Sequence, residues 1–152
     1  MLQPGDTAPD FEAMTDEDKP LKLSDLRGQN VILYFYPRAD TPGCTKEACS
    51  FRDNFPRFST ENAVVLGVST DTVKAQSKFK QKYQLPFTLL ADTDKDIHEK
   101  YGTWVEKSMY GKKYMGTARS TFIIGPDGKI RKVFENVKPE QHAEQVLTAL
   151  AE

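Results

Sequence analysis

Val31-Ile32-Leu33-Tyr34-Phe35-Tyr36-Pro37-Arg38-Ala39-Asp40-Thr41-Pro42-Gly43-Cys44-Thr45-Lys46-Glu47-Ala48-Cys49 is the stretch on which the fold class turns. Its first six residues form an unbroken apolar and aromatic run, the pattern of a strand buried on both faces beneath helices. Pro37 stops that run. Lys46 to Phe58 then reads as a helix, because Ala48, Phe51, Phe55 and Phe58 recur at steps of three and four. Pro56 lacks a backbone donor and predicts an end or a kink in the last turn. A second buried run, Ala63-Val64-Val65-Leu66-Gly67-Val68-Ser69, follows. Strand, helix and strand make a βαβ unit, whose connection is right-handed in nearly all proteins.

Outward from this unit, Asp71 or Thr72 is placed to cap a second helix, with Val73, Gln76, Phe79 and Tyr83 on one face. Phe87 to Ala91 predicts a short third strand. Asp94 is placed to cap a short helix through Ile97 and Tyr101 that ends at Gly102. Trp104 to Thr117 is mixed in character and reads as an excursion. Thr121-Phe122-Ile123-Ile124 predicts a fourth strand, and the Gly125-Pro126-Asp127-Gly128 turn joins it to a partly exposed strand over Lys129 to Phe134. A last helix starts at Pro139 and buries Ala143, Val146, Leu147 and Leu150. The order is β-α-β-α-β-(α)-β-β-α, after an N-terminal segment of about thirty residues with room for a small hairpin. Parallel βαβ followed by an antiparallel ββα ending is the α/β arrangement of the thioredoxin-like fold, a central mixed sheet flanked by helices, here with an N-terminal extension and insertions.

Composition narrows the function. At 152 residues the chain suits a single domain over 1–152 that needs neither disulfide nor metal to fold. Its 21 basic and 22 acidic side chains argue against nucleic-acid or membrane-surface partners, which call for a basic excess. No apolar run reaches the ~20 residues of a bilayer span, and the Met1–Phe11 stretch has no signal-peptide character. A soluble, cytosolic protein is expected. The two histidines, His98 and His142, lie in polar surroundings and are expected to face solvent. No G-x-G-x-x-G or P-loop pattern occurs, so nothing points to a nucleotide.

The junction between the first strand and its helix is where chemistry is expected, because sites in open α/β sheets form beyond the carboxyl ends of strands. Cys44 falls at the helix start, where free N–H groups and the helix dipole favour an anion, and therefore a thiolate. A small buried cysteine is the plainer reading of the same position. Cys49 follows five residues later. On an intact helix that spacing puts the Cα atoms roughly 8–9 Å apart and about 140° around the axis, too far for a disulfide without local unwinding. Either Cys49 is a core residue, or the helix start opens to let the sulfurs meet. The spacing disfavours a C-x-x-C reductase. A redox-responsive binding module with sensor cysteines is a competitor of another class.

Here the sequence closely resembles the peroxiredoxins. Pro37-x-x-x-Thr41-x-x-Cys44 matches their P-x-x-x-T-x-x-C signature, and Thr41-Pro42-Gly43-Cys44-Thr45 with Cys49 looks like the bacterioferritin comigratory protein, or peroxiredoxin Q, subgroup. The likeness runs from Gly5-Asp6-x-Ala8-Pro9-Asp10-Phe11 to Arg119-Ser120-Thr121-Phe122-Ile123-Ile124. It implies a thiol peroxidase acting on hydrogen peroxide and organic hydroperoxides. Cys44 would be the peroxidatic nucleophile and Arg119 a donor that favours the thiolate and the developing oxyanion. Thr41 would hydrogen-bond the peroxide, and Pro37 would shield the sulfur. Cys49 would resolve the Cys44 sulfenic acid as an intramolecular disulfide, which thioredoxin or a similar dithiol reduces. The resemblance implies no metal, haem, flavin or nucleotide, and a monomer.

Overall fold

A computed structural model describes residues 2–152. The strand predicted from the apolar run is β3, Asn30–Phe35, and the second run is β4, Ala63–Ser69. They pair in parallel, from Asn30 against Ala63 to Phe35 against Val68. Between them lie α1, Pro42–Asp53, and α2, Phe55–Thr60. The expected kink is a full break at Asn54, which ends α1 and begins α2, with Pro56 in the first turn of the new helix, where its missing donor costs nothing. The first helix starts earlier than the apolar periodicity shows, at Pro42, and so includes Cys44.

The N-terminal segment does form a hairpin, β1 (Glu12–Thr15) with β2 (Pro20–Lys22). After α3 (Val73–Tyr83), β5 (Thr88–Ala91) runs parallel to β4 and accepts β1 on its far side. Beyond α4 (Asp96–Tyr101), the segment expected as an excursion is a separate antiparallel ribbon, β6 (Trp104–Met109) with β7 (Lys112–Thr117). Strand β8 (Ser120–Ile124) pairs antiparallel with β3, and β9 (Ile130–Phe134) completes the sheet before α5 (His142–Leu150). The main sheet has the order β2-β1-β5-β4-β3-β8-β9, a mixed sheet with β3 and β4 inside it.

Alternation along β3 builds two cores. Ile32, Tyr34 and Tyr36 face one way, toward Ala48, Phe51, Phe58, Phe79 and Val146 from the helices. Val31, Leu33 and Phe35 face the other, toward Ile97, Tyr101, Phe11 and Phe122. All six are buried, which is why this strand carries no polar alternation.

Two local expectations are corrected and a third is extended. Thr72 does cap α3, its hydroxyl accepting from Ala75 N at 3.1 Å. The α4 start is held by Asp94, which accepts from Asp96 N at 3.1 Å, and also by Asp92, whose carboxylate accepts from the backbone N–H of Ile97 and of His98, at 3.0 and 2.9 Å. Helix α5 begins at His142 and not at Pro139, because Gln141 before it takes a left-handed φ of 63°. Both histidines, expected at the surface, are fully buried. Their outward neighbours Glu99, Lys100, Gln141 and Glu144 supply the polar character that misleads, while each ring has one partner far along the chain, Thr117 for His98 and Thr121 for His142.

Candidate active site

Cys44 is the third residue of α1 and is buried. The first backbone bond of the helix runs from Thr45 N to Thr41 O at 2.8 Å. The N–H groups of Gly43 and Cys44 precede it and have no partner one turn back. No side chain caps them: Thr41 occupies the capping position, but its hydroxyl donates to the Arg38 carbonyl at 2.8 Å instead. Two N–H groups at the positive end of the helix are thus left facing the sulfur's surroundings.

Arg119 immediately precedes β8, and the antiparallel pairing of that strand with β3 carries its side chain to the end of the sheet where α1 begins. Its Nη2 donates to Cys44 Sγ at 3.3 Å and its Nη1 to Glu47 Oε1 at 2.8 Å. The guanidinium passes close to the helix at Gly43, where a Cβ would stand in contact with Nη2 at 3.4 Å. Burial opposes the Arg119 charge, but Glu47 and Cys44 together outweigh it and hold its pKa above the ordinary value.

Glu47 was not singled out by the sequence reading. It lies one turn after Cys44 on the same face as Ala48 and Phe51, and its side chain is 1% exposed. A carboxyl on an apolar helix stripe is itself a signal, although its partner stands 72 residues away. Burial pushes its pKa up to about 7 despite the opposing Arg119, and its second oxygen, Oε2, is buried without a partner. Lys107 on β6 also contributes to the local field: burial and then Arg119 lower its pKa, and Cys44 opposes them. His142, held by Thr121 at 2.7 Å between Phe51 and Phe134, has its pKa lowered first by burial, so it stands beside this site as a neutral ring.

Cys44, Thr41 and Arg119 are therefore assembled at one place, and Pro37 follows directly on the buried Tyr36 at the exit of β3. Cys49 is not brought to Cys44. Both are free thiols in one unbroken helix, with Cys49 only partly buried. The loop between β3 and α1 is itself restrained. Asp71 accepts from Ala39 N at 2.7 Å, and Asp40, at a φ of 60°, accepts from Lys82 and from the Tyr83 hydroxyl.

Residues 4–133 match the model of the AhpC/TSA family. The putative peroxiredoxin bcp of Coxiella burnetii is 52% identical over 149 residues, covering 98% of this chain and 99% of the relative. Among solved structures, a cysteine-to-serine variant of Xylella fastidiosa PrxQ superposes with a TM-score of 0.94 at 37% identity, covering 99% of this chain and 96% of the other. The Xanthomonas campestris bacterioferritin comigratory protein, studied for alkyl peroxide reduction, gives a TM-score of 0.91 at 34% identity with the same coverage. An anion-favouring helix start with a buried sulfur under an arginine, joined to these likenesses over nearly the whole chain, places the protein in the AhpC/TSA family, among the Bcp or PrxQ peroxiredoxins.

Proposed function

We propose that this peroxiredoxin reduces hydrogen peroxide and organic hydroperoxides through Cys44, with Cys49 as the resolving thiol. The observation that carries the assignment is the 3.3 Å contact from Arg119 Nη2 to Cys44 Sγ. The Cys44 thiolate attacks one peroxide oxygen; an S–O bond forms and the O–O bond breaks. Sulfur is oxidised by two electrons, the peroxide is reduced, and the departing oxygen takes up a proton to leave as water or alcohol. Arg119 and the two free N–H groups supply the donors that stabilise the charge shifting onto that oxygen. The Thr41 hydroxyl stands three residues before the sulfur and orients the peroxide once it turns from the Arg38 carbonyl. Pro37 keeps water from the sulfur at the exit of β3.

The Cys49 thiolate next attacks the Cys44 sulfenic acid. The disulfide forms and hydroxide leaves as water. A thioredoxin-type dithiol returns both residues to thiols by exchange. We place this cycle in the cytosol, a reducing compartment, and assign it to residues 1–152 acting as one domain and a monomer. The near balance of charges favours neither nucleic acid nor a membrane surface. Among the described residues no helix is long and apolar enough to cross a membrane.

The test is peroxide consumption with a thioredoxin system supplied. Cys44→Ser is expected to abolish it, and retained consumption removes the assignment. Cys49→Ser is expected to react with the first equivalent of peroxide and then stop turning over; full steady-state activity takes Cys49 out of the cycle. Mass spectrometry after one equivalent should find the Cys44–Cys49 disulfide in the unaltered protein.

A further inference from the structure

On the opposite face of the sheet from Cys44 lies a buried polar chain that the peroxide chemistry leaves unused. His98 Nδ1 stands 2.6 Å from Asp92 Oδ2, and His98 Nε2 stands 2.9 Å from Thr117 Oγ1. His98 is 0% exposed and Asp92 and Thr117 are each 2% exposed. The ring is wedged edge-on between Phe35 and Trp104, with centroids 5.0 and 5.9 Å away. Burial pushes the Asp92 carboxyl up, but its hydrogen bonds from the His98 side chain and from the backbone of His98 and Ile97 outweigh that and hold it low. The carboxylate accepts only, so Nδ1 carries the proton. The other ring nitrogen, Nε2, is left to the Thr117 hydroxyl.

The chain ends two residues before Arg119. Thr117 closes β7, and the backbone after it is held at every step: Ala118 N donates to Thr103 O at 2.8 Å, the Ser120 hydroxyl to Ala118 O at 3.0 Å, and Val137 N to Arg119 O at 3.0 Å. Thr103 N in turn donates to His98 O at 2.9 Å. Ser120 pairs with Phe35, the residue against which His98 packs. One histidine thus touches the ends of both strands whose following or preceding residues make the site. Charge–dipole bonds of this kind are costly to leave half-made in a buried setting, so the geometry they fix is stiff.

We propose that the Asp92–His98–Thr117 chain is a positioning device for the peroxidase reaction: it anchors the base of the β6–β7 ribbon and thereby sets the guanidinium of Arg119 against Cys44. The inference rests on the Cys44–Arg119 assignment made above. Thr117 touches neither sulfur nor substrate; it acts through Arg119, and it is the member of the chain whose hydroxyl can be removed with least change of shape.

The experiment is the second-order rate of reaction of the reduced protein with hydrogen peroxide, followed by loss of free thiol. Thr117→Val, which keeps the shape and removes the hydroxyl, is expected to slow it by roughly tenfold to a hundredfold, the scale of a small misplacement of a catalytic donor. Thr117→Ser is expected to recover most of that loss. In the Arg119→Ala background, Thr117→Val is expected to cost little more, because the group it positions is already gone. An unchanged rate in Thr117→Val overturns the inference, and so does a full additional loss on top of Arg119→Ala. Should Val at this position prevent folding, Thr117→Ala is compared with Thr117→Ser in the same way. Absence of a fast peroxide reaction in the unaltered protein would instead strike the underlying assignment of Cys44.

Discussion

The Cys44 sulfur receives the Arg119 fork on one side and the open start of α1 on the other. The fork is divided, with one terminal nitrogen on the sulfur and the other on Glu47, so its geometry matters as well as its charge. Lysine carries the charge at a single point and lacks the planar fork that sets a separate nitrogen on each partner. Arg119→Ala is therefore expected to slow reaction with peroxide by about 10²–10³-fold, the usual cost of deleting one preorganised oxyanion donor. Arg119→Lys is expected to fall between the two. Stopped-flow rates on the three proteins decide this; a lysine variant as fast as the parent would reduce Arg119 to a bare charge, and an alanine variant as fast would remove it from the site. The glutamate beside it shows what a sequence read alone misses. Its place on an apolar stripe was visible, but the partner that makes a carboxyl tolerable there comes from the start of β8, 72 residues along the chain.

Helix α1 carries Cys44, Glu47 and Cys49 together, and the disulfide requires that this same segment unwind. Unwinding draws Glu47 out of its buried place. In the intact helix burial raises its pKa to about 7, against 4.5 as its ordinary value. The wound form therefore holds the proton more tightly. The stabilisation this gives the wound form is fully present below pH 4.5, falls as pH rises toward 7, and is gone above that. Opening of α1, and with it the step from sulfenic acid to disulfide, should accordingly gain with pH across this window. Because the Cys49 thiolate also grows with pH, the informative quantity is the rate of disulfide formation relative to Glu47→Gln. That ratio is expected to rise by roughly tenfold or more between pH 5 and pH 7.5. A ratio that stays flat would detach Glu47 from the opening. The break at Asn54 limits how far the unwinding runs, since α2 starts afresh beyond it. Pro56 made that break legible in advance. The share of Asp92 in capping α4 was not, because only the fold brings its carboxylate back to the N–H groups of Ile97 and His98.

Across the whole molecule, what could be read from the chain was whatever a buried face writes into it. The runs that became β3 and β4, the stripe of α1 and the hydroxyl cap of α3 all follow from local periodicity and local chemistry. The β6–β7 ribbon was missed because its strands are largely exposed, and a strand without a covered face has no alternation to show. The histidines were misplaced for the converse reason, since Thr117 and Thr121, which hold them, are distant in sequence. The same two-faced burial that makes the central strands legible also makes them intolerant. Gly67 lies opposite Tyr34 in the parallel pair, and a Cβ there would meet Tyr34 Cζ and Oη and Leu89 Cδ2, each at 2.9 Å. Leu89 can turn aside, but the Tyr34 ring cannot: it stacks on Phe51 of α1 at 4.7 Å and on Tyr36 at 5.4 Å. Gly67→Ala is expected to cost about 1–3 kcal/mol through overpacking, lowering the midpoint of thermal unfolding by about 2–4 °C per kcal/mol in a chain of this size. Because the displaced ring leans on the helix that carries both cysteines, the same variant should form the disulfide faster after oxidation. Calorimetry and single-turnover kinetics on one preparation read both effects; an unchanged melting midpoint would mean that the sheet yields at Gly67, and destabilisation without faster disulfide formation would separate the packing of β3 from the opening of α1.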